Sequence, residues 1–149
     1  MNGLHKVSRI LFLVGAIVGV VGAGALFLSG VACIVLSLPF MDPYVEEIVA
    51  HMPSVNVSGD ADAIIIAYRA IMISYAVLFI VLAVFMLLSG LFSFKARKEE
   101  TKKLYIINIV FGVLGCNEVS LVAAILGLIS FIKRSNRESK QEQAEVVDK

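Results

Sequence analysis

Three long apolar stretches constrain this chain more than any other feature. They cover residues 10–38, 70–94 and 104–132, and only the third contains a charged side chain, Glu118. Because about 20 apolar residues cross the hydrocarbon layer, each stretch is long enough to form a membrane helix. The chain is also 59% apolar and 17% charged, whereas soluble domains have about 45–50% and 25%. These features predict an all-α integral membrane protein.

The first stretch follows two basic residues, Lys6 and Arg9, as the apolar part of a signal peptide does. That part of a signal peptide has about 7–15 residues, and the stretch is roughly twice as long. We therefore predict an uncleaved span, transmembrane helix 1.

The distribution of basic side chains predicts the orientation of the helices. Lysine and arginine gather before residue 10, in residues 95–103 and after residue 132, while the segment between the first two stretches is acidic. Basic segments of membrane proteins stay in the cytoplasm. We therefore predict cytoplasmic N and C termini, a cytoplasmic loop at 95–103 and an extracellular loop at 39–60, in the plasma membrane.

The same argument predicts that the third stretch turns back. Basic clusters flank both of its ends, and a single crossing would leave the second cluster outside. A turn near Gly115 and Glu118 brings both ends to the cytoplasm and keeps the carboxylate away from the lipid centre, where a charge is costly. The two arms rise only about 18–21 Å, so three full spans are the alternative. We predict a bundle of four transmembrane helices, the last two a short hairpin.

The predicted order of segments resembles a known layout. The segments are the cytoplasmic N-terminus 1–9, transmembrane helix 1 at 10–38, an extracellular loop with a short helix at 39–60, transmembrane helix 2 with an outer extension at 61–94, a cytoplasmic basic loop at 95–103, a transmembrane hairpin at 104–132 and a cytoplasmic charged tail at 133–149. This layout resembles that of claudin-type tetraspan proteins, although the chain lacks the Trp pair and the Cys pair of the claudin outer loop. The hinge at 112–117 is similar to that of small four-helix membrane proteins of bacteria. The resemblance implies a tetraspan fold and no particular activity.

Small residues recur along one side of helix 1. They are Gly15, Gly19, Gly22, Ala25, Ser29, Cys33 and Ser37. Spacings of three or four residues place them on one face, and the Gly15-x-x-x-Gly19 (GxxxG) spacing lets membrane helices pack closely. The pattern predicts a helix-packing surface. Its partner is either the protein's own second helix, or a second copy of the chain or another membrane protein.

Three polar residues interrupt the third stretch: Asn108, Asn117 and Glu118. Asn108 is predicted to form an interhelical hydrogen bond. Glu118 is either a turn carboxylate at the level of the headgroups or, together with Asn117, a protonatable group that lines a polar path. Arg69 is predicted at the outer interface, where it is the one partner that the pattern offers to Glu118.

The outer loop contains a predicted amphipathic helix that begins at Asp42 and ends at Pro53. We expect this helix to cover the outer ends of the membrane helices, with docking of a partner protein as the alternative. Asn56 begins a glycosylation sequon, which matters only in a eukaryotic host. Asp60 and Asp62 lack metal-ligand spacing, and either one is a candidate cap for helix 2.

The predicted function is that of an accessory or scaffolding subunit in the lipid bilayer, acting through helix packing and the acidic outer loop. The alternative is a small transporter, channel or holin-like pore that uses Asn117 and Glu118. The chain has neither a phosphate-binding glycine loop nor a catalytic triad, and a net charge of +1 gives no basic surface for nucleic acid. We expect no enzyme activity, cofactor or metal. Cys33 and Cys116 are expected as free thiols, a disulfide being the alternative.

Overall fold

The described part of the chain is almost entirely helical. The computed structural model describes residues 3–51 and 61–147, and these residues form no strand. The elements are α1 at Gly3–Leu36, a 3-10 helix at Pro39–Met41, α2 at Asp42–Ala50, α3 at Ala61–Lys98, α4 at Lys102–Leu114 and α5 at Glu118–Val147. Two of them, α1 and the part of α3 at Ala63–Lys98, are long and apolar enough to cross a membrane.

The helices belong to two compact units. The first unit consists of Met1–Ala23 and Ala83–Lys149, and the second of Gly24–Leu82. Both α1 and α3 contribute to each unit, whereas α4 and α5 lie in the first and α2 lies in the second.

The ends of the two long helices follow from local chemistry. α1 ends at Leu36, and Leu38 adopts an extended conformation with φ −77° and ψ 150°. This is the conformation that a residue before a proline prefers, and Pro39 follows it. The last turn of α3 contains three basic residues, Lys95, Arg97 and Lys98, whose charges complement the negative end of the helix dipole.

The third apolar stretch is broken by a turn, as the sequence predicts. α4 and α5 pack against each other as an antiparallel hairpin, with the reversal at residues 115–117. The backbone N–H of Asn117 donates to the carbonyl oxygen of Gly112 at 2.8 Å. Cys116 has a φ of 51°, so the left-handed residue of the turn is a cysteine, although Gly115 precedes it.

The last helix continues past the predicted end of the hairpin. α5 runs without a break from the apolar residues into the charged tail and ends at Val147. In the tail, the Nε of Arg134 donates to Oε1 of Glu138 at 3.0 Å, which is the i to i+4 contact that stabilises exposed helices. The start of the charged tail therefore belongs to the same continuous helix as the apolar residues of α5.

The core of the first unit lies among all four of its helical segments. Phe12 of α1 stacks on Tyr105 of α4, with ring centroids 5.8 Å apart. Ala123 and Ala124 of α5 are fully buried beside them. In the second unit, Gly30 of α1 packs against Ile80 and the carbonyl of Ala76. Small side chains thus allow the close approach of helices in each unit.

Candidate functional site

The interior of the first unit contains several polar residues beside its small and aromatic ones, while large aliphatic residues are exposed on its surface. Its buried polar residues, each at most 2% exposed, are Ser8, Ser89, Ser93, Asn108, Asn117 and Ser120. By contrast, Ile10 and Val21 on α1 are 63% and 66% exposed. Water-soluble proteins have the opposite arrangement, because large aliphatic side chains are normally the most buried and Ser and Asn the most exposed.

A triad of side chains, Ser93, Asn108 and Ser120, joins three helices in this interior. The hydroxyl of Ser93 on α3 donates to Oδ1 of Asn108 on α4 at 3.1 Å. The Oγ atoms of Ser93 and Ser120 lie 2.7 Å apart. Because the single proton of Ser93 is already used, Ser120 on α5 is the donor in this second bond. The interhelical hydrogen bond that the sequence predicts for Asn108 is therefore present.

Two polar atoms of this interior have no hydrogen-bond partner among the described residues. They are Nδ2 of Asn108 and Oγ of Ser89. Asn108 thus accepts a bond through its oxygen and leaves its two amide protons without a partner. Unsatisfied buried donors are uncommon in folded proteins. The amide nitrogen of Asn108 on α4 could therefore donate further hydrogen bonds.

Asn117 ties the hairpin turn to α1. Its Nδ2 donates to the carbonyl oxygen of Gly15 at 2.9 Å, and its Oδ1 accepts the backbone N–H of Ser120 at 3.1 Å. The second bond is an N-terminal cap, since Ser120 is the third residue of α5. Both ends of the amide are therefore occupied, while the neighbouring Glu118 is exposed at the first residue of α5.

The glycines of the predicted packing stripe contact neighbouring helices of the first unit. A Cβ on Gly15 would lie 2.5 Å from Oγ of Ser120, and one on Gly19 would lie 2.6 Å from Cα of Gly90. Gly22 lies against the side chain of Met86. In this unit, the glycines of the stripe therefore pack against α3 and α5 of the same chain.

The remaining members of the stripe do not continue on the buried face. Ala25 and Ser29 are exposed, Cys33 and Ser37 are half-buried, and Gly30 is buried instead. The reason is the helical repeat: at about 100° per residue, the spacings chosen from Gly22 through Ala25 to Ser29 rotate away from the buried face. Of the predicted seven-residue stripe, Gly15, Gly19 and Gly22 thus contact neighbouring helices of the first unit, whereas Ala25 and Ser29 are exposed in the second, and packing of these two against a partner stays a prediction.

Arg69 binds a carboxylate that the sequence pattern did not assign to it. Nη2 of Arg69 on α3 donates to Oδ2 of Asp42 at the start of α2. The sequence pattern offered Arg69 only as a candidate partner of Glu118, and placed Asp42 at the start of the outer-loop helix. This ion pair fixes the first turn of α2 to α3, and Val45 of α2 is buried while Tyr44 and Ile48 are exposed.

Glu100 brings together three segments that are far apart in the sequence. Its Oε1 lies 3.0 Å from Nε2 of His5, and its Oε2 lies 3.8 Å from Nη1 of Arg134. The hydrogen bond to Glu138 and the charges of Glu138 and Glu100 raise the pKa of Arg134 above its usual value. The N-terminal segment, the basic loop and the start of the tail therefore meet at one end of the first unit.

Several predictions fall on residues that the structure leaves undescribed or concern the thiols. The end of the outer-loop helix at Pro53, the sequon at Asn56 and the candidate cap Asp60 lie outside the described residues. Cys33 and Cys116 are both free thiols.

Comparison of the chain with protein-family models, with curated proteins and with solved structures finds no match.

Proposed function

We propose that the chain is a small integral membrane protein that acts as an accessory or scaffolding subunit. The observation that carries this proposal is the reversed distribution of side chains, with Ser and Asn inside the first unit and large aliphatic residues outside. Lipid is as apolar as leucine, so a membrane protein gains nothing by burying aliphatic residues and associates through small and polar ones. In water, the exposed aliphatic surface of the first unit would instead promote aggregation.

We propose four transmembrane helices with both termini in the cytoplasm of a plasma membrane. The contacts of Glu100 with His5 and Arg134 support this topology, because three basic segments that meet share one side of the bilayer. α4 has 13 residues and rises about 20 Å, which is less than the hydrocarbon thickness of about 30 Å. An arm of this rise ends about 10 Å short of the outer headgroups, so we propose that α1 and α3, which contact the turn through Gly15 and Met86, screen it from lipid.

Labelling of a new cysteine tests this topology. In a Cys33→Ser, Cys116→Ser background, we expect Ser139→Cys to react with a membrane-impermeant maleimide only after the cells are opened. A cysteine at Ser54, in the predicted outer loop, is the control and should react in intact cells. Reaction of Ser139→Cys in intact cells would place the tail outside and would contradict four crossings.

Two observations favour a scaffold over a pore. Both ends of the Asn117 amide are bonded within the unit, and Glu118 has an exposed position at the turn. Asn117 is therefore not free to line a polar path, and Glu118 lies at the start of α5 rather than along its length. By contrast, Ala25 and Ser29 are exposed small residues on α1, with the spacing that permits a second membrane helix to approach.

The scaffold proposal predicts that a bulky side chain at Ser29 prevents assembly. Ser29→Leu should lower the amount of self-associated or partner-bound protein in native membranes by about tenfold, because overpacking a helix contact costs roughly 1–3 kcal/mol. Gly24→Leu is the matched control, since Gly24 is also exposed and nothing lies within 4 Å of its added Cβ. Chemical cross-linking in membranes measures the effect. Equal cross-linking in the two variants, or a wild-type protein that forms no larger species, would contradict the proposal.

A further inference from the structure

A cleft opens at the charged end of the first unit. It has a volume of about 360 Å³, and residues from α1, the α3–α4 loop, α4 and α5 line it. Its polar lining residues include His5, Glu100, Tyr105, Ser130, Arg134 and Arg137. The cleft therefore brings cationic and hydroxyl side chains together next to the membrane arm of α5.

The basic side chains of the cleft differ in whether they form ion pairs. Glu100 is already paired with His5 and Arg134, and Arg134 also binds Glu138. Arg137 makes no ion pair with any residue that the structure describes. A guanidinium presents a rigid fork of donors that matches the oxygens of a phosphate. Arg137 is thus the cation of the cleft with open bonding capacity, and the hydroxyl of Ser130, about two turns earlier on α5, is a further donor in the lining.

A second groove, of about 390 Å³, shares Arg137 with the cleft. Its other lining residues include the apolar Ile129 and Ile132 and the basic Lys133 and Lys140 of α5. Apolar side chains followed within one or two turns by basic ones match a molecule that has a hydrocarbon part and an anionic part. A soluble phosphate would use only the basic half of this surface, whereas a phospholipid would use both halves.

We propose that the cleft binds the phosphate headgroup of an anionic phospholipid from the cytoplasmic leaflet, with Arg137 as the main ligand. The acyl chains would lie along Ile129 and Ile132. Basic pockets at the cytoplasmic ends of membrane helices bind anionic lipid headgroups in this way. This inference rests on the proposed membrane location and orientation of the chain.

Lipid retention by the purified full-length protein tests the inference. The protein is held in a mild detergent with equal amounts of phosphatidylglycerol and phosphatidylcholine, and native mass spectrometry measures which lipid stays bound. We expect a preference for phosphatidylglycerol that Arg137→Gln lowers about fivefold, the effect of one basic side chain at an anionic membrane surface. Lys102→Gln is the control, because it removes the same charge from an exposed residue at the same end of the unit that does not line the cleft.

Two further measurements distinguish a specific lipid site from general electrostatic attraction between the protein and anionic lipid. Ser130→Leu keeps every charge but narrows the cleft, and it should also lower phosphatidylglycerol retention. An excess of inorganic phosphate should leave the bound lipid in place. Equal losses in Arg137→Gln and Lys102→Gln, an unchanged Ser130→Leu, or release of the lipid by phosphate would each overturn the inference.

The failure of this inference is distinguishable from that of the proposed function. A protein that stays in the membrane after alkaline carbonate extraction, but retains both lipids equally, contradicts only the lipid site. A protein that carbonate releases from the membrane contradicts the membrane location as well.

Discussion

Gly19→Ala should destabilise the first unit, whereas the same change at Gly24 should leave it unchanged or slightly more stable. The added Cβ at Gly19 would lie 2.6 Å from Cα and 2.8 Å from N of Gly90, and 2.9 Å from the carbonyl oxygen of Met86. All three are backbone atoms, so relief requires α1 and α3 to move apart. We expect a cost of about 1–3 kcal/mol from overpacking.

Gly24 isolates the steric effect from helix propensity. Nothing lies within 4 Å of a Cβ added at Gly24, and alanine is favoured over glycine in a helix by about 1 kcal/mol. Gly19→Ala should therefore lower the free energy of unfolding, and Gly24→Ala should leave it unchanged or raise it slightly. Helical circular dichroism during unfolding in mixed micelles of increasing SDS content measures both. A Gly19→Ala protein as stable as Gly24→Ala would show that α1 and α3 do not pack through this contact.

Asn117→Ala should be the most damaging change of a polar side chain at the turn. It removes the bond to the carbonyl of Gly15 and the cap on Ser120. A lost cap costs about 0.5–2 kcal/mol, and a lost hydrogen bond between membrane helices about 0.6–2 kcal/mol. We expect a combined loss of about 1–4 kcal/mol in the same unfolding experiment.

Glu118→Gln is the matched control for Asn117→Ala. Glu118 is the adjacent residue and is exposed, so its main contribution is its charge near the start of α5, worth less than about 1 kcal/mol. Proton or ion flux in liposomes should also be unaffected by this change. If Glu118→Gln destabilises the protein as much as Asn117→Ala, the turn is held by the carboxylate and our assignment of the cap is wrong.

The sequence predicted the helices and the turn well because both depend on local properties. An uncharged stretch of sufficient length predicts α1 and α3, and the basic clusters on both sides of the third stretch predict its reversal. The residues around Gly115 and Asn117 supplied a plausible position for the turn, and the chain reverses there. The α-helical class and the presence of two long apolar helices were predictable for the same reason.

The partners of individual side chains were not predictable, because they depend on how the helices pack. Periodicity identifies a face of α1 but not Gly90 as the residue that Gly19 meets. Gly90 is the single glycine of residues 70–94, which was a signal for a close contact at that position. Likewise, nothing in the pattern of charges distinguished Asp42 from Glu118 as the partner of Arg69. The spacing of small residues also did not show that Ala25 and Ser29 are exposed while Gly30 is buried.

The triad of Ser93, Asn108 and Ser120 makes the folding of this protein dependent on the medium around it. In the hydrocarbon layer of a bilayer, separated helices would expose these hydroxyl and amide groups to lipid, which offers no hydrogen bonds. The triad therefore favours the assembled helices there. In water, the same groups would bond to solvent after separation, and the aliphatic outer surface would drive aggregation. If the chain lies in a bilayer as we propose, the cohesion of the first unit comes partly from the surrounding lipid, and transfer to an aqueous phase would weaken the interior without altering a single residue.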